Sequence, residues 1–155
     1  MWTDNTIMWT DNTELKFVVK HLSEKELATV NYLLDLQKLS KCKKDKVAAI
    51  LVSEDFTQIY SIGINGGPIE QENCLCEKVS KFGCAHAEQN CLVKNENFDK
   101  PKIMICTSSP CPTCAALIVN AKANIKQFWF IDQYKDDTGL SILFKANIEC
   151  FMLSL

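Results

Sequence analysis

The apolar positions along this chain change period several times, and each change marks an element. Leu27, Val30, Leu33, Leu34 and Leu36 recur at the spacing of one helical face, which predicts an amphipathic helix over 24–40. Its start is marked by Ser23-Glu24-Lys25-Glu26, where Ser23 can cap the first turn and Glu26 can reach back to it. Val47 to Val52 is a continuous apolar run closed by Ser53-Glu54-Asp55, the pattern of a buried strand followed by a turn. Gln58 to Ile64 alternates as the second strand of a hairpin and stops at Asn65-Gly66-Gly67-Pro68. Residues 66–84 show little periodicity. Beyond them the pattern predicts a helix from Ala85 to Lys94, a buried strand at 103–106 and a helix from Cys111 to Lys122. Pro112 falls in the first turn of that helix, where a missing N–H costs nothing. A strand at 127–131, a short helix at 138–146 and a last strand from Ile148 to Leu153 complete the chain. Strands alternating with helices imply an α/β sandwich around a mixed sheet.

Composition narrows the class. The chain has 155 residues, 47% of them apolar and 23% charged, with a formal charge of −2, which suits one folded domain and excludes gross disorder. No linker divides residues 15–155. Residues 1–14 contain a direct duplication, Met1-Trp2-Thr3-Asp4-Asn5-Thr6 and Met8-Trp9-Thr10-Asp11-Asn12-Thr13. Two short copies do not make a repeat architecture, so this stretch is expected to be a flexible tail rather than an added edge strand or oligomer contact. No apolar run reaches the roughly 18 residues of a membrane span, and the start lacks the basic and apolar regions of a signal peptide. The expectation is a cytoplasmic protein without a membrane partner. All 17 basic residues are lysine, which argues against a dedicated duplex-DNA binder, since that needs a clustered basic face. Nine cysteines against two histidines point to metal ligands or reactive thiols rather than a disulfide framework.

Two short segments carry the chemistry. One is Cys84-Ala85-His86-Ala87-Glu88; the other is Ser109-Pro110-Cys111-Pro112-Thr113-Cys114. Cys-x-x-Cys alone fits a structural zinc knuckle or a redox pair. His86 alone reads as a core histidine, and Glu88 alone as a solvated helix residue. Together they form His-x-Glu followed by Pro-Cys-x-x-Cys, the signature of zinc deaminases. Cys111 and Cys114 lie three apart on one helix face, at a helix N-terminus that favours thiolate. His86 supplies a third ligand from another helix. Three protein ligands leave the fourth tetrahedral position to water, the mark of a catalytic zinc. Glu88 is too close to His86 to be a comfortable co-ligand and is placed instead as the proton carrier. A closed structural site has no use for that glutamate.

On these motifs the sequence resembles the cytidine/deoxycytidylate deaminase superfamily, and within it the phage-type deoxycytidylate (dCMP) deaminases, from about Leu34 to Leu153. The resemblance includes Ser40-Lys41-Cys42 leading into Val47-Ala48-Ala49-Ile50, and Gly63-Ile64-Asn65-Gly66-Gly67-Pro68. It also includes Asp132-Gln133-Tyr134, Gly139-Leu140 and Ala146-Asn147-Ile148-Glu149. It implies a three-layer α/β/α sandwich around a five-stranded mixed sheet, and hydrolytic deamination of dCMP to dUMP in pyrimidine nucleotide biosynthesis. By the same resemblance Asn65 holds the sugar hydroxyl, the main chain at Ser109 and Pro110 receives the leaving amino group, and Tyr134 lines the nucleotide pocket. Each also has a plainer reading: Asn65 as a turn residue before glycine, and Tyr134 as the edge of the core. The family's dCTP and dTTP effectors are associated with the segment Ile64, Gly66 and Gly67, where Ile64 stands in place of the usual tyrosine. A 5′-phosphate ordinarily attracts arginine. Here the candidates are Lys41, Lys43, Lys44 and above all Lys46, each of which also fits a solvated basic turn.

The remaining cysteines divide in two. Cys91, Cys106 and Cys150 fall on apolar elements and read as small hydrophobes. Cys42, Cys74, Cys76 and Cys84 do not. Some phage-type relatives carry an extra zinc in this region, so these four are the candidate ligands of a closed structural Zn²⁺ that would pin residues 66–84, set against four unligated thiols. The resemblance further implies a homo-oligomer, dimer or hexamer, with 128–130 and Phe144 serving either core or interface. Two other functions compete: deamination of another cytosine substrate (cytidine, deoxycytidine, dCTP or single-stranded nucleic acid), and a catalytically silent zinc-binding protein of the same fold. A nucleic-acid deaminase needs a basic channel and aromatic platforms, and the net charge of −2 with the acidic run Glu70-Gln71-Glu72 disfavours it.

Overall fold

The computed structural model describes residues 17–68 and 83–155. The duplicated segment lies outside them. Ten elements follow in chain order: β1 (Val18–His21), α1 (Glu24–Gln37), β2 (Ala48–Ser53), β3 (Ile59–Ile64), α2 (Ala87–Val93), β4 (Lys102–Ser108), α3 (Pro112–Asn120), β5 (Ile125–Asp132), α4 (Thr138–Lys145) and β6 (Glu149–Ser154). The α1 capping box forms as the sequence predicts: Ser23 Oγ accepts from the Glu26 amide at 3.4 Å and Glu26 Oε2 accepts from the Ser23 amide at 2.9 Å. Pro112 opens α3 at its first position.

One sheet takes the order β1-β6-β5-β4-β2-β3. β2 pairs antiparallel with β3 and β4, whereas β4, β5, β6 and β1 run parallel. The sheet is mixed, as expected, but has six strands rather than five. The missed strand is β1, four residues with no turn signal of their own. Its partner β6 lies at the far end of the sequence, where Val18 stands opposite Phe151.

β2 is buried at every position and separates two apolar clusters. Ala49 and Leu51 join Ala87 and Cys91 of α2, Ala115 and Ile118 of α3, and Leu140 and Leu143 of α4. Ala48, Ile50 and Val52 join Val30, Leu33 and Leu36 of α1. One helix therefore covers one face and three cover the other, which makes the three layers. Phe128, Trp129 and Phe130 are all buried and belong to these clusters, so β5 serves the core. Phe17 meets Phe130 edge-on at 5.3 Å between ring centroids. Phe144 is half-exposed on α4 and His21 lies exposed on β1, as expected for a surface histidine. Among the described residues no helix is long and apolar enough to cross a membrane.

The parallel connections place the start of α3 just beyond the carboxyl end of β4, where open α/β sheets bind ligands. Leu51, fully buried at the centre of β2, holds the face that carries α2 to α4. Leu51→Ala is expected to cost about 2–5 kcal/mol in urea unfolding. A loss below about 1 kcal/mol would contradict this account of the core.

Candidate active site

The site begins with backbone. Ala85 forms an antiparallel bridge with Gly66, so the chain entering α2 is fastened to the end of β3. His86 caps α2, and its amide donates to Gln89 Oε1 at 2.8 Å. Cys111 caps α3, and its Sγ accepts from the Cys114 amide at 3.4 Å. The two cysteines thus do not share a helix face in the simple sense. Cys111 stands at the cap and Cys114 in the first turn, and the sulfur of one receives the amide of the other.

His86 Nδ1 lies 3.3 Å from Cys114 Sγ and 3.6 Å from Cys111 Sγ. The three ligand atoms all lie within 4.8 Å of one another. Zinc bound at about 2.3 Å to sulfur and about 2.0 Å to nitrogen, in tetrahedral geometry, sets nitrogen and sulfur roughly 3.5 Å apart. The residues therefore fit the ion.

The electrostatics agree. The Cys111 thiol is lowered to about 4, first by the hydrogen bond from the Cys114 thiol and then by His86. Cys114 is pushed far up by the same bond and by burial. His86 is raised, chiefly by its hydrogen bond to Cys111. Two cysteine sulfurs and an imidazole nitrogen in contact form a donor set that a divalent cation can bind by displacing the thiol protons. Glu88, in the first turn of α2, is only 4% exposed. Burial raises its carboxyl to about 7, and hydrogen bonds from its own amide and from Cys114 partly oppose that rise. A desolvated carboxyl beside a metal-ligand cluster can accept and return a proton near neutral pH.

His86, Glu88 and Cys111 open on a cavity of about 850 Å³ lined also by Asn65, Ser109, Tyr134 and Lys46, while Cys114 is fully buried. Ser109 ties the ends of two strands together: its amide donates to the Asp132 carbonyl at 2.8 Å, and its Oγ accepts from the Tyr134 amide at 2.6 Å. Pro110, expected at the substrate, does not line the cavity, and its carbonyl faces Gly139 of α4. Ile64, Gly66 and Gly67 do not line it either; Ile64 packs toward the α1 face.

Asn65 is more deeply engaged than its sequence suggests. Its Oδ1 accepts from Ser40 Oγ at 2.7 Å and from the Val47 amide at 2.8 Å, while Nδ2 donates to the Asp45 carbonyl at 2.6 Å. It fastens residues 40–47 as one wall of the cavity, and one amide proton remains for a ligand. Lys44 and Lys135 join Lys46 at the cavity. Sequence reasoning missed Lys135, whose signal was its place directly after Tyr134; its Nζ lies 5.8 Å from that ring's centroid. Cys42 and Cys84 also reach the cavity, but Cys74 and Cys76 lie outside the described residues.

Fold, ligand cluster and buried carboxylate together define a zinc-dependent nucleotide deaminase. Comparison with known proteins agrees. Residues 23–131 match the model of the cytidine and deoxycytidylate deaminase zinc-binding region, and the chain belongs to that family. Among solved structures, the dCMP deaminase of cyanophage S-TIM5 in complex with dCMP and dUMP is 29% identical, with a TM-score of 0.74 over 85% of this chain and 100% of that one. The apo form of that enzyme is 28% identical, with a TM-score of 0.69 over 84% and 99%. The Aspergillus oryzae Rib2 deaminase in complex with DARIPP shares the fold at 20% identity and a TM-score of 0.63, over 85% and 86%. No curated protein sequence matches the chain.

If the cluster is the ligand set, His86→Ala, Cys111→Ser and Cys114→Ser should each lose the zinc they hold, whereas Glu88→Gln should keep it. Elemental analysis of the purified proteins reads this directly. Full zinc content in the Cys114 variant would remove that residue from the set.

Proposed function

We propose that the chain hydrolyses dCMP to dUMP with release of ammonia, supplying precursor for thymidylate synthesis. The observation that carries the reading is the buried Glu88 carboxyl beside the His86–Cys111–Cys114 cluster at the floor of a nucleotide-sized cavity. The likeness to the cyanophage dCMP deaminase along its whole length supports the substrate.

In this reading His86, Cys111 and Cys114 hold the catalytic zinc. Zinc in such a site supplies Lewis-acid activation of water at neutral pH. Glu88 takes a proton from the attacking water, gives it to N3 of the cytosine ring, and then assists departure of ammonia from C4. The Ser109 carbonyl, just past the end of β4, accepts a hydrogen bond from the leaving amino group. The remaining Asn65 amide proton meets the sugar hydroxyl, and Tyr134 borders the nucleotide. With no arginine in the chain, Lys46, aided by Lys44 and Lys135, holds the 5′-phosphate as a set of point charges.

Ammonia release from cytidine, deoxycytidine, dCMP and dCTP, measured side by side, tests the substrate. dCMP should be favoured, and Glu88→Gln should lose about 10²–10⁴-fold in kcat while retaining zinc. Preference for dCTP or a free nucleoside would move the reading to another cytosine substrate. No turnover of any of them would leave a zinc-binding protein of this fold. Lys46→Ala should raise KM for dCMP far more than for deoxycytidine; equal effects would remove its phosphate role.

Four finer features belong to the same proposal. dCTP and dTTP act as effectors through the segment bearing Ile64, Gly66 and Gly67, and the chain assembles as a homo-oligomer, dimer or hexamer, in the cytoplasm. Cys42, Cys74, Cys76 and Cys84 hold a second, structural zinc. Metal analysis should then give two zinc ions per chain, falling to one in the Cys74→Ser/Cys76→Ser double variant. One zinc in the parent, unchanged in that variant, would end the idea of a second site.

A further inference from the structure

Two glycines lie where backbone meets backbone on opposite sides of the site. Gly63 is in β3. A methyl group built on it would stand 2.0 Å from the Ala87 carbonyl oxygen and 2.4 Å from the Cys91 amide nitrogen. α2 therefore rests on β3 with no layer of side chain between them. Hydrogen bonds hold the contact: Asn90 Nδ2 donates to the Ile64 carbonyl at 2.8 Å, and Ser61 Oγ donates to the Cys91 carbonyl at 2.9 Å.

Gly139 lies in the first turn of α4. A methyl group there would stand 2.0 Å from the Pro110 carbonyl oxygen, 2.9 Å from its carbon and 3.1 Å from the Cys111 oxygen. Neither glycine has a positive φ, so the backbone conformation alone does not require glycine at either place. The close approach does.

Each half of the site thus sits on one of these contacts. His86 and Glu88 ride on the helix seated by Gly63. Cys111 and Cys114 follow the turn seated by Gly139. The halves meet across the 3.3 Å and 3.6 Å separations between His86 Nδ1 and the two sulfurs. A methyl group at either seat forces a separation from 2.0 Å toward the 3.4 Å at which ordinary contact begins. The contacted atoms are backbone, which cannot swing aside as a flexible side chain does. Metal ligands tolerate displacements of about 0.2 Å, and a misplacement of about 1 Å can cost roughly 10²-fold in rate.

We propose that Gly63 and Gly139 are positioning residues that set the spacing between the α2 half of the site, His86 and Glu88, and the α3 half, Cys111 and Cys114. The effect on turnover rests on the deaminase reading; the effect on ligand geometry does not. The test uses the full chain with Gly63→Ala and Gly139→Ala made separately. Cobalt(II) replaces zinc as a spectroscopic probe, and zinc affinity is measured by competition with a chromophoric chelator. Val30→Ala, on the buried side of α1 across the sheet from the site, controls for lost stability.

Each glycine variant should shift the cobalt ligand-field bands, weaken zinc binding at least about tenfold, and lower kcat for dCMP by about 10²-fold with a smaller change in KM. Val30→Ala should lower the melting temperature and leave spectrum and kcat in place. Unshifted spectra and kcat within about twofold of the parent in both glycine variants would overturn the proposal, because the contacts would then relax through α4 or β3 instead of the site. Failure of both to fold would make the glycines packing residues of the fold and would overturn it as well. A parent that deaminates no cytosine compound would sink the deaminase reading, while the cobalt spectra would still decide the role of the glycines.

Discussion

Two sulfurs and an imidazole, carried by two different helices, must converge to within a few ångströms, and the arrangement of the sheet follows from that demand. Neither helix can hold the ligands alone. α2 brings His86 from its N-cap and Glu88 from its first turn, while α3 brings Cys111 from its N-cap and Cys114 from its first turn. Both N-termini face one cavity because α2 lies on β3, β3 pairs with β2, and β2 pairs with β4, whose carboxyl end leads into α3. Helix N-termini suit thiolates, since free amides and the helix dipole both favour negative charge. The amide of Cys114 on the sulfur of Cys111 is that preference in a single bond.

The same convergence explains Glu88. Glu88 is buried, and desolvating a carboxyl costs stability unless hydrogen bonds or opposite charge offset it. Beside the cluster and at the cavity it stands where the proposed reaction needs a proton carrier, with His86 and the cysteines as the proposed metal ligands. The rim is built differently. Lysines stand where arginine would be expected, and a point charge on a long stem holds phosphate with less directional control than a guanidinium fork. In the proposed reading, substrate preference therefore leans on the wall fastened by Asn65 and on Tyr134 as much as on the charges.

Much of this was legible in the residues. Helical periodicity and the Ser23 capping box placed α1, and the apolar run from Val47 placed β2, because local pattern and burial agree there. The motif residues were legible because metal chemistry restricts which types can stand at which spacing. Three things were not legible. β1 is four residues long and owes its existence to β6, a pairing that no local window contains. Asn65 read equally as a turn residue or a ligand contact, and only its bonds to Ser40, Asp45 and Val47 show it as the fastener of a wall. Pro110 carries a motif position yet turns its carbonyl toward Gly139, a relation set by packing between α3 and α4 that spacing cannot express.

The central claim is hydrolysis at a cytosine carbon by a site whose proton carrier is Glu88. It is tested most directly by supplying dCMP in water enriched in oxygen-18 and weighing the product. The account predicts dUMP carrying one heavy oxygen on the pyrimidine ring, one ammonia per product molecule, and formation of both at least about 100-fold slower by Glu88→Gln with its zinc in place. Conversion without uptake of the heavy oxygen, or undiminished conversion by the Glu88 variant, would contradict it.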